Sequence, residues 1–486
     1  MQLSVVARII GLLLMIFSLS MAPPMLVSAW FHDGEFQYFL TTLAAMLGIG
    51  LLLWLPVRRR YQELHSRDGF IIVTLFWTVL GVFSSLPFHF SPAPHLSYTD
   101  AVFEAVSGFT TTGATVIVGL DNLSPSLLYY RQQLQWLGGM GIIVLAVAVL
   151  PLLGIGGMEL YRAETPGPMK DEKLTPRIAH TARALWYVYV GLTVACALCF
   201  WVGGMSLFDA IGHSFSTIST GGFSTHDASF GYFQSPGLEI IANIFMLLGS
   251  INFAVHFLAW QQPVRSKLSY YLQDTETVAF LLIVAGLVVG VAVVLRLENY
   301  YPSLLTALRY SAFHVISVIS TTGFTTAPFS EWPSILPILL IYISFIGGCA
   351  GSTAGGLKVI RLLLLVKQAM REIARMIHPR AVMPVKINSR VMTEPVIGAV
   401  WGFFSLYVFS TTALTLLLVG TGLDILSAYS AVAACLNVMG PGLGDVASNF
   451  IDVSDTGIWI LIFAMLLGRL EIFTVFVLLT PAFWRR

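Results

Sequence analysis

Ser216–Asp227 reads STISTGGFSTHD, and Ser317–Phe329 reads SVISTTGFTTAPF. Both carry Ile-Ser-Thr, then Gly or Thr, then Gly-Phe, a hydroxyl residue and Thr. These polar, glycine-centred segments lie in a chain that is 56% hydrophobic and only 10% charged. An ordinary soluble protein carries about 25% charged residues. So much apolar sequence cannot be absorbed by a soluble core, and the chain reads as a polytopic membrane protein. Its net charge of +1 gives no reason to expect a nucleic-acid partner.

Apolar runs long enough to cross a bilayer fall near residues 8–30, 36–56, 69–90, 126–154, 183–203, 237–261, 276–297, 333–367, 395–420 and 456–482. The first run has Arg8 before it and ends in Val27-Ser28-Ala29, which imitates a signal peptide. Its length and the Pro23-Pro24 pair favour a retained helix. Semi-polar stretches near 98–118, 206–225, 303–326 and 424–444 are too short and polar to span, and each reads as a short helix ending in a Gly/Thr turn. If the ten runs span alternately, the basic connections share one side: Arg58, Arg59, Arg60 and Arg67; Arg162, Lys170, Lys173 and Arg177; Arg265 and Lys267; Arg371, Arg375, Arg380, Lys386 and Arg390; Arg485 and Arg486. The positive-inside rule makes that side cytoplasmic, along with both termini. The other connections carry Asp33, Glu35, Asp121, Asp227, Asp445, Asp452 and Asp455.

From residue 69 onward the chain repeats one unit: membrane helix, short re-entrant helix, turn, membrane helix. The expected fold is all-α, with four pseudo-symmetric repeats around one pore and two extra N-terminal helices. The divisions fall at 1–68 for the N-terminal helices, then 69–154, 155–262, 263–368 and 369–486 for the repeats. The central glycines are Gly113, Gly222, Gly323 and, in the least regular turn, Gly440.

Non-helical backbone at membrane depth is tolerated where it is buried in protein or lines a watery cavity. Four such segments, from four similar units, suggest an axis. Carbonyl oxygens can replace the hydration shell of a cation. Glycine permits φ > 0, so successive carbonyls can face one direction. Thr111, Thr112, Thr220, Thr321 and Thr322 precede the glycines and add hydroxyls. The short helices would aim their partly negative C-terminal ends inward. No carboxylate sits in the turns, which suggests a monovalent rather than a divalent cation. The competing reading makes these segments ordinary small-residue packing sites.

Two more features stand out. The run at 333–367 contains FIGGCAGSTAGGLK, Phe345–Lys358, and so many glycines should break a helix. Gly347, Gly348, Ala350, Gly351, Ser352, Thr353, Ala354, Gly355 and Gly356 would form a movable loop that obstructs the pathway below the turns; glycine-mediated helix contact is the alternative. A phosphate-binding loop is excluded, since Leu357 separates Gly356 from Lys358 and no hydroxyl residue follows. Arg469, inside IFAMLLGRLEIFTV, is costly in a membrane run and is expected to bond carbonyls of that loop; pairing with Glu471 or with a neighbouring helix is the alternative. Glu104, His213 and His314 occupy matching positions in their short helices, where a shared structural task such as bonding a neighbouring helix end is expected; direct ion coordination is the alternative. The Cys196–Cys199 pair sits in an apolar run and implies neither redox nor zinc chemistry. The motifs of intramembrane or soluble hydrolases, HExxH and GxSxG, are absent, so no enzyme is expected.

SGFTTTGATV, STISTGGFSTHD, SVISTTGFTTAPF and LNVMGPGLGD resemble the four filter loops of the TrkH/TrkG/KtrB superfamily of potassium-uptake proteins. The two extra helices and the length point to its TrkH branch. The resemblance implies K+ bound at Thr111, Thr112, Gly113, Thr220, Gly221, Gly222, Thr321, Thr322, Gly323, Val438, Met439 and Gly440. It implies glycine rather than serine at position 113 as the potassium-favouring choice, and a less regular fourth loop, Val438-Met439-Gly440-Pro441, without threonine. It implies a homodimer in the bacterial inner membrane. It also implies a cytosolic TrkA-type ring that binds ATP/ADP or NAD/NADH, since this chain has no nucleotide motif. The basic segment 361–390 and the loop at 155–182 are candidate docking surfaces; attraction to anionic lipids explains the first equally well. The alternative function is an alternating-access K+/Na+ or K+/H+ symporter.

Overall fold

The computed structural model describes residues 3–59, 66–144, 178–333, 335–388 and 390–485. Arg60, Arg162, Lys170, Lys173, Arg177, Arg486 and most of the candidate docking loop lie outside them. The architecture is helical, with one minimal hairpin pairing Lys386–Ile387 with Arg390–Val391. Among the described residues, six helices are long and apolar enough to cross a membrane: Ser4–Phe31, Phe36–Val57, Asp68–Phe90, Arg183–Val202, Thr275–Leu297 and Glu394–Val419. The first two cross where Gly11 meets Gly50; a Cβ on Gly11 would lie 2.7 Å from the Gly50 carbonyl oxygen. Small residues let the two backbones approach this closely.

The four short helices are Tyr98–Phe109, Leu207–Ile218, Leu304–Ile319 and Ile425–Leu436. Each starts at a side-chain cap that its sequence supplies: Ser97, Ser206 and Ser303 accept from the third residue beyond, and Asp424 accepts from Leu426 and Ser427. These helices lie at the centre of the molecule. Every residue from Ala101 to Phe109 is buried, as is every residue from Ser430 to Leu436.

Among the described residues, the second helices of repeats 2, 3 and 4 are broken, where the sequence reading marks a break only in repeat 3. The expected run at 333–367 is a helix from Leu336 to Ser344, an irregular loop, and an amphipathic helix from Val359 to Ile377. The run at 237–261 bends by 97° between Pro236–Ser250 and Phe253–Gln261, and that at 456–482 by 115° between Asp455–Arg469 and Phe473–Leu479. Asn252 begins a new helix at the first bend, its side chain accepting from Ala254 N. Glu471 and Ile472 take φ of +53° and +27° at the second. Of the run at 126–154, Pro125–Val144 is described, and it is helical.

Candidate functional site

All four short helices end alike. The N–H groups of Thr112, Gly221, Thr322 and Met439 each bond back to the carbonyl five residues earlier, at 2.8 Å. The residue before each is left-handed: Thr111, Thr220, Thr321 and Val438, with φ of +59°, +53°, +56° and +61°. This is a helix-terminating motif that normally takes glycine. Here four β-branched residues occupy it, at about 1–3 kcal/mol of strain each. Two residues on, Gly113, Gly222, Gly323 and Gly440 are again left-handed, with φ of +83°, +82°, +81° and +98°. Alternating hand along a strand points consecutive carbonyls the same way.

The four turns close on one another. A Cβ built on Gly113 would overlap the carbonyl oxygen of Gly221; one on Gly222, that of Thr322; one on Gly323, that of Met439. A Cβ on Gly440 would lie 2.8 Å from the carbonyl oxygen of Thr112. The contacts run from repeat 1 through 2, 3 and 4 and back to 1, so the backbone of each turn abuts the next in a ring. All four glycines also line one open cavity of about 400 Å³, together with Arg131, His226 and Asp227. The residues named from sequence are therefore brought together, the irregular fourth turn included.

Polar side chains hold the turns of repeats 1, 2 and 3 in place. The Glu104 carboxylate accepts from Thr115 Oγ1 and Val116 N, His213 Nε2 meets Ser224 Oγ at 3.0 Å, and His314 Nε2 meets Ala327 O at 3.0 Å. The shared structural task of these matched residues is present. Its target differs from the expected neighbouring helix end: each grips the segment that follows its own glycine. Arg131, 1% exposed, donates to Glu104 Oε1 at 2.7 Å and to Ser224 O at 3.1 Å, joining repeats 1 and 2.

The broken helix of repeat 3 supplies an irregular loop that does not line the cavity, with positive φ at Gly347, Gly351, Gly356 and Lys358. The loop reaches the threonines of the ring directly: Gly355 N donates to Thr321 Oγ1 at 2.7 Å, and Thr220 Oγ1 to Thr353 Oγ1 at 3.3 Å. Thr111 Oγ1 is buried and has no partner among the described residues. Thr353 Oγ1 lies within hydrogen-bond reach of the carbonyls of Ile218 and Gly249, at 2.9 and 3.0 Å. The bend in repeat 2 completes the seat. It frees Ser250 O to accept from Cys349 N and Phe253 N to donate to Gly351 O. Glu276, fully buried, accepts from Ala350 N at 2.8 Å and Ile360 N at 3.0 Å, stapling both shoulders of the loop.

Arg469 is 6% exposed. Its Nη1 donates to Thr353 O at 3.2 Å and its Nη2 to Gly138 O at 3.4 Å, while the guanidinium sits 5.5 Å from the Trp77 ring. Glu471 bonds Arg361 instead, at 2.8 Å, so the local pairing with Arg469 does not form. The Arg469 contact joins the loop to the second helices of repeats 1 and 4.

Sequence reasoning passes over Arg131, Gln135, Glu276 and Asn252. Three of them carry a signal: a charged or amide side chain within a membrane run, which marks a functional position by default. Asn252 is the start signal of a helix in mid-run.

Four helix–short-helix–helix units closing one ring of left-handed turns define a single-chain, pseudo-fourfold membrane transport protein, a non-enzymatic class. The profile of the TrkH family, described as a cation transport protein, matches residues 35–486, and the chain belongs to that family. It is 55% identical over 486 residues to the Trk system potassium uptake protein TrkH of Vibrio parahaemolyticus and 54% identical to that of Halomonas elongata, covering 100% of both chains in each case. It is 42% identical to TrkG of Escherichia coli over 99% of this chain and 98% of that one. The crystal structure of the potassium transporter TrkH from Vibrio parahaemolyticus superposes with a TM-score of 0.93 at 52% identity, over 100% of both chains.

Proposed function

We propose that this chain takes up potassium across the bacterial inner membrane, both termini cytoplasmic, along one path through the ring of turns. K+ is selected by the carbonyls and hydroxyls of Thr111–Gly113, Thr220–Gly222, Thr321–Gly323 and Val438–Gly440. The observation that carries this reading is the closed cycle of contacts between the four turns. The names of the full-length relatives support the choice of ion. The glycine loop under the ring holds the path closed, and its hydrogen bonds to Thr321 and Thr220 support that role.

A TrkA-type cytosolic ring carrying ATP/ADP or NAD/NADH moves the loop by way of the amphipathic helix Val359–Ile377, which continues directly from it. A second copy of the chain covers the exposed apolar stripe of Val366, Met370, Ile373 and Ile377 on that helix. Reversal potentials of the purified protein in bilayers with opposed K+ and Na+ test the selectivity. A value set by the K+ gradient is expected, and a value near zero rejects the filter. Single-channel recording should give discrete steps; flux limited by turnover, with no steps, favours the symporter. Deleting Gly351–Gly355 should raise flux, and unchanged flux removes the gate.

A further inference from the structure

The middle residue of each turn is Thr112, Gly221, Thr322 and Met439, so only the second turn lacks a side chain there. In turns 1 and 3 that side chain braces the turn from behind: Thr112 Oγ1 meets Thr110 Oγ1 at 2.8 Å, and Thr322 Oγ1 meets Ser320 Oγ at 2.8 Å. In turn 2 the space is taken by Gln135, which reaches in from the second helix of repeat 1 and is fully buried. A Cβ on Gly221 would lie 2.6 Å from Gln135 Oε1 and 2.8 Å from its Nε2. The amide is bonded at both ends. Its Nε2 donates to Gly221 O at 2.6 Å, and its Oε1 accepts from Phe223 N at 3.0 Å.

We propose that Gln135 is a positioning residue for ion selectivity, standing in from repeat 1 for the side chain that turn 2 lacks and fixing the Gly221 carbonyl in the ring. This deepens the filter reading and rests on it. A fork that donates to the carbonyl before Gly222 and accepts from the N–H after it blocks rotation of both flanking peptide planes. Without it, one of the four carbonyls at this level is free to turn. Discrimination between K+ and Na+ depends on the number and placement of those oxygens, so one loose oxygen weakens it. The sequence supports the pairing from the other side. A threonine at 221, as at 112 and 322, could not coexist with Gln135.

The test is the K+/Na+ permeability ratio from reversal potentials of purified protein. Gln135→Met keeps the bulk and removes both hydrogen bonds; it should lower the ratio at least tenfold while K+ still passes. Gly221→Thr alone should abolish transport through overlap with Gln135. The double variant Gln135→Ala/Gly221→Thr restores a brace within turn 2 and should recover most of the wild-type ratio. Should Gln135→Met fail to fold, the double variant decides. A ratio for Gln135→Met within twofold of wild type, or a double variant no better than Gly221→Thr alone, overturns the proposal. A wild-type ratio near one is a different failure: it rejects the filter itself and removes the basis of the role for Gln135.

Discussion

Replacing Arg469 by alanine removes two hydrogen bonds from the closed arrangement, to Thr353 O at 3.2 Å and to Gly138 O at 3.4 Å. A hydrogen bond from a charged donor contributes about 1.5–3 kcal/mol. Both contacts are long, so the lower figure applies. On the proposed gating role, the Thr353 bond, which belongs to the loop, is lost whenever the loop leaves its seat. Removing it from the closed state alone shifts the closed-to-open ratio by about 1.5 kcal/mol, or roughly tenfold. If the Gly138 bond also depends on the loop, the shift is on the order of a hundredfold. If the path runs through the ring as proposed, a second effect has the same sign, because a guanidinium beside it repels a resident cation. The prediction is at least tenfold faster rubidium uptake into proteoliposomes holding the purified Arg469→Ala protein and no partner. Arg469→Lys keeps the charge and gives up the forked donor, and it should fall between. A well-folded Arg469→Ala protein with wild-type or slower uptake refutes the argument.

Three further outcomes follow from named contacts. Glu276→Leu leaves Ala350 N and Ile360 N unsatisfied at about 1–3 kcal/mol each, so the same assay should show faster uptake than for Glu276→Gln, which retains the acceptor; equal rates would remove the staple. Gly355→Ala places a methyl group onto the Asn437 carbonyl oxygen and should also raise uptake, because it disfavours the closed seat; a wild-type rate counts against contact between loop and ring. Beside the cavity-lining His226, a hydrogen bond from that residue holds the Asp121 carboxyl below its ordinary value. The tie between the loops of repeats 1 and 2 is therefore fully present above pH about 4 and is lost as pH falls through the lowered value. Asp121 is half exposed, so the effect is a fraction of a kcal/mol. Melting curves of Asp121→Asn should converge on wild type in acid, and a constant offset from pH 3 to 6 would rule this out.

Much of the ring is legible in the sequence, because its constraint is local. A left-handed glycine that closely approaches a neighbouring backbone tolerates no other residue, and Gly113, Gly222, Gly323 and Gly440 stand at matching places in four repeats. The loop at Phe345–Lys358 is legible for the same reason. The bends at Ile251 and at Leu470–Ile472 are harder to see, since no cluster of glycines or prolines marks them and only the lone cap residue Asn252 signals the first. They persist because their freed backbone groups are met from elsewhere in the fold, Ser250 O and Phe253 N by the repeat 3 loop. Gln135 is hidden in a different way. Its run, YYRQQLQWLGG, announces polar side chains in a membrane helix, but the glycine it compensates lies 86 residues away, and only the fold brings them together.

Carrying all four units in one chain lets each repeat differ beneath a common ring. A ring made of four identical subunits would repeat every device fourfold. Four copies of Arg469 would crowd like charges into one buried space, where low dielectric makes their repulsion severe. Four copies of the glycine loop would compete for one seat. Within a single chain the duties are divided: repeat 1 contributes Arg131 and Gln135, repeat 2 bends to expose Ser250 O, repeat 3 opens into the loop and repeat 4 brings Arg469. The ring stays nearly fourfold because its backbone geometry allows little else. Everything beneath it is free to diverge, and the proposed gate of one loop and one arginine is possible only once it has.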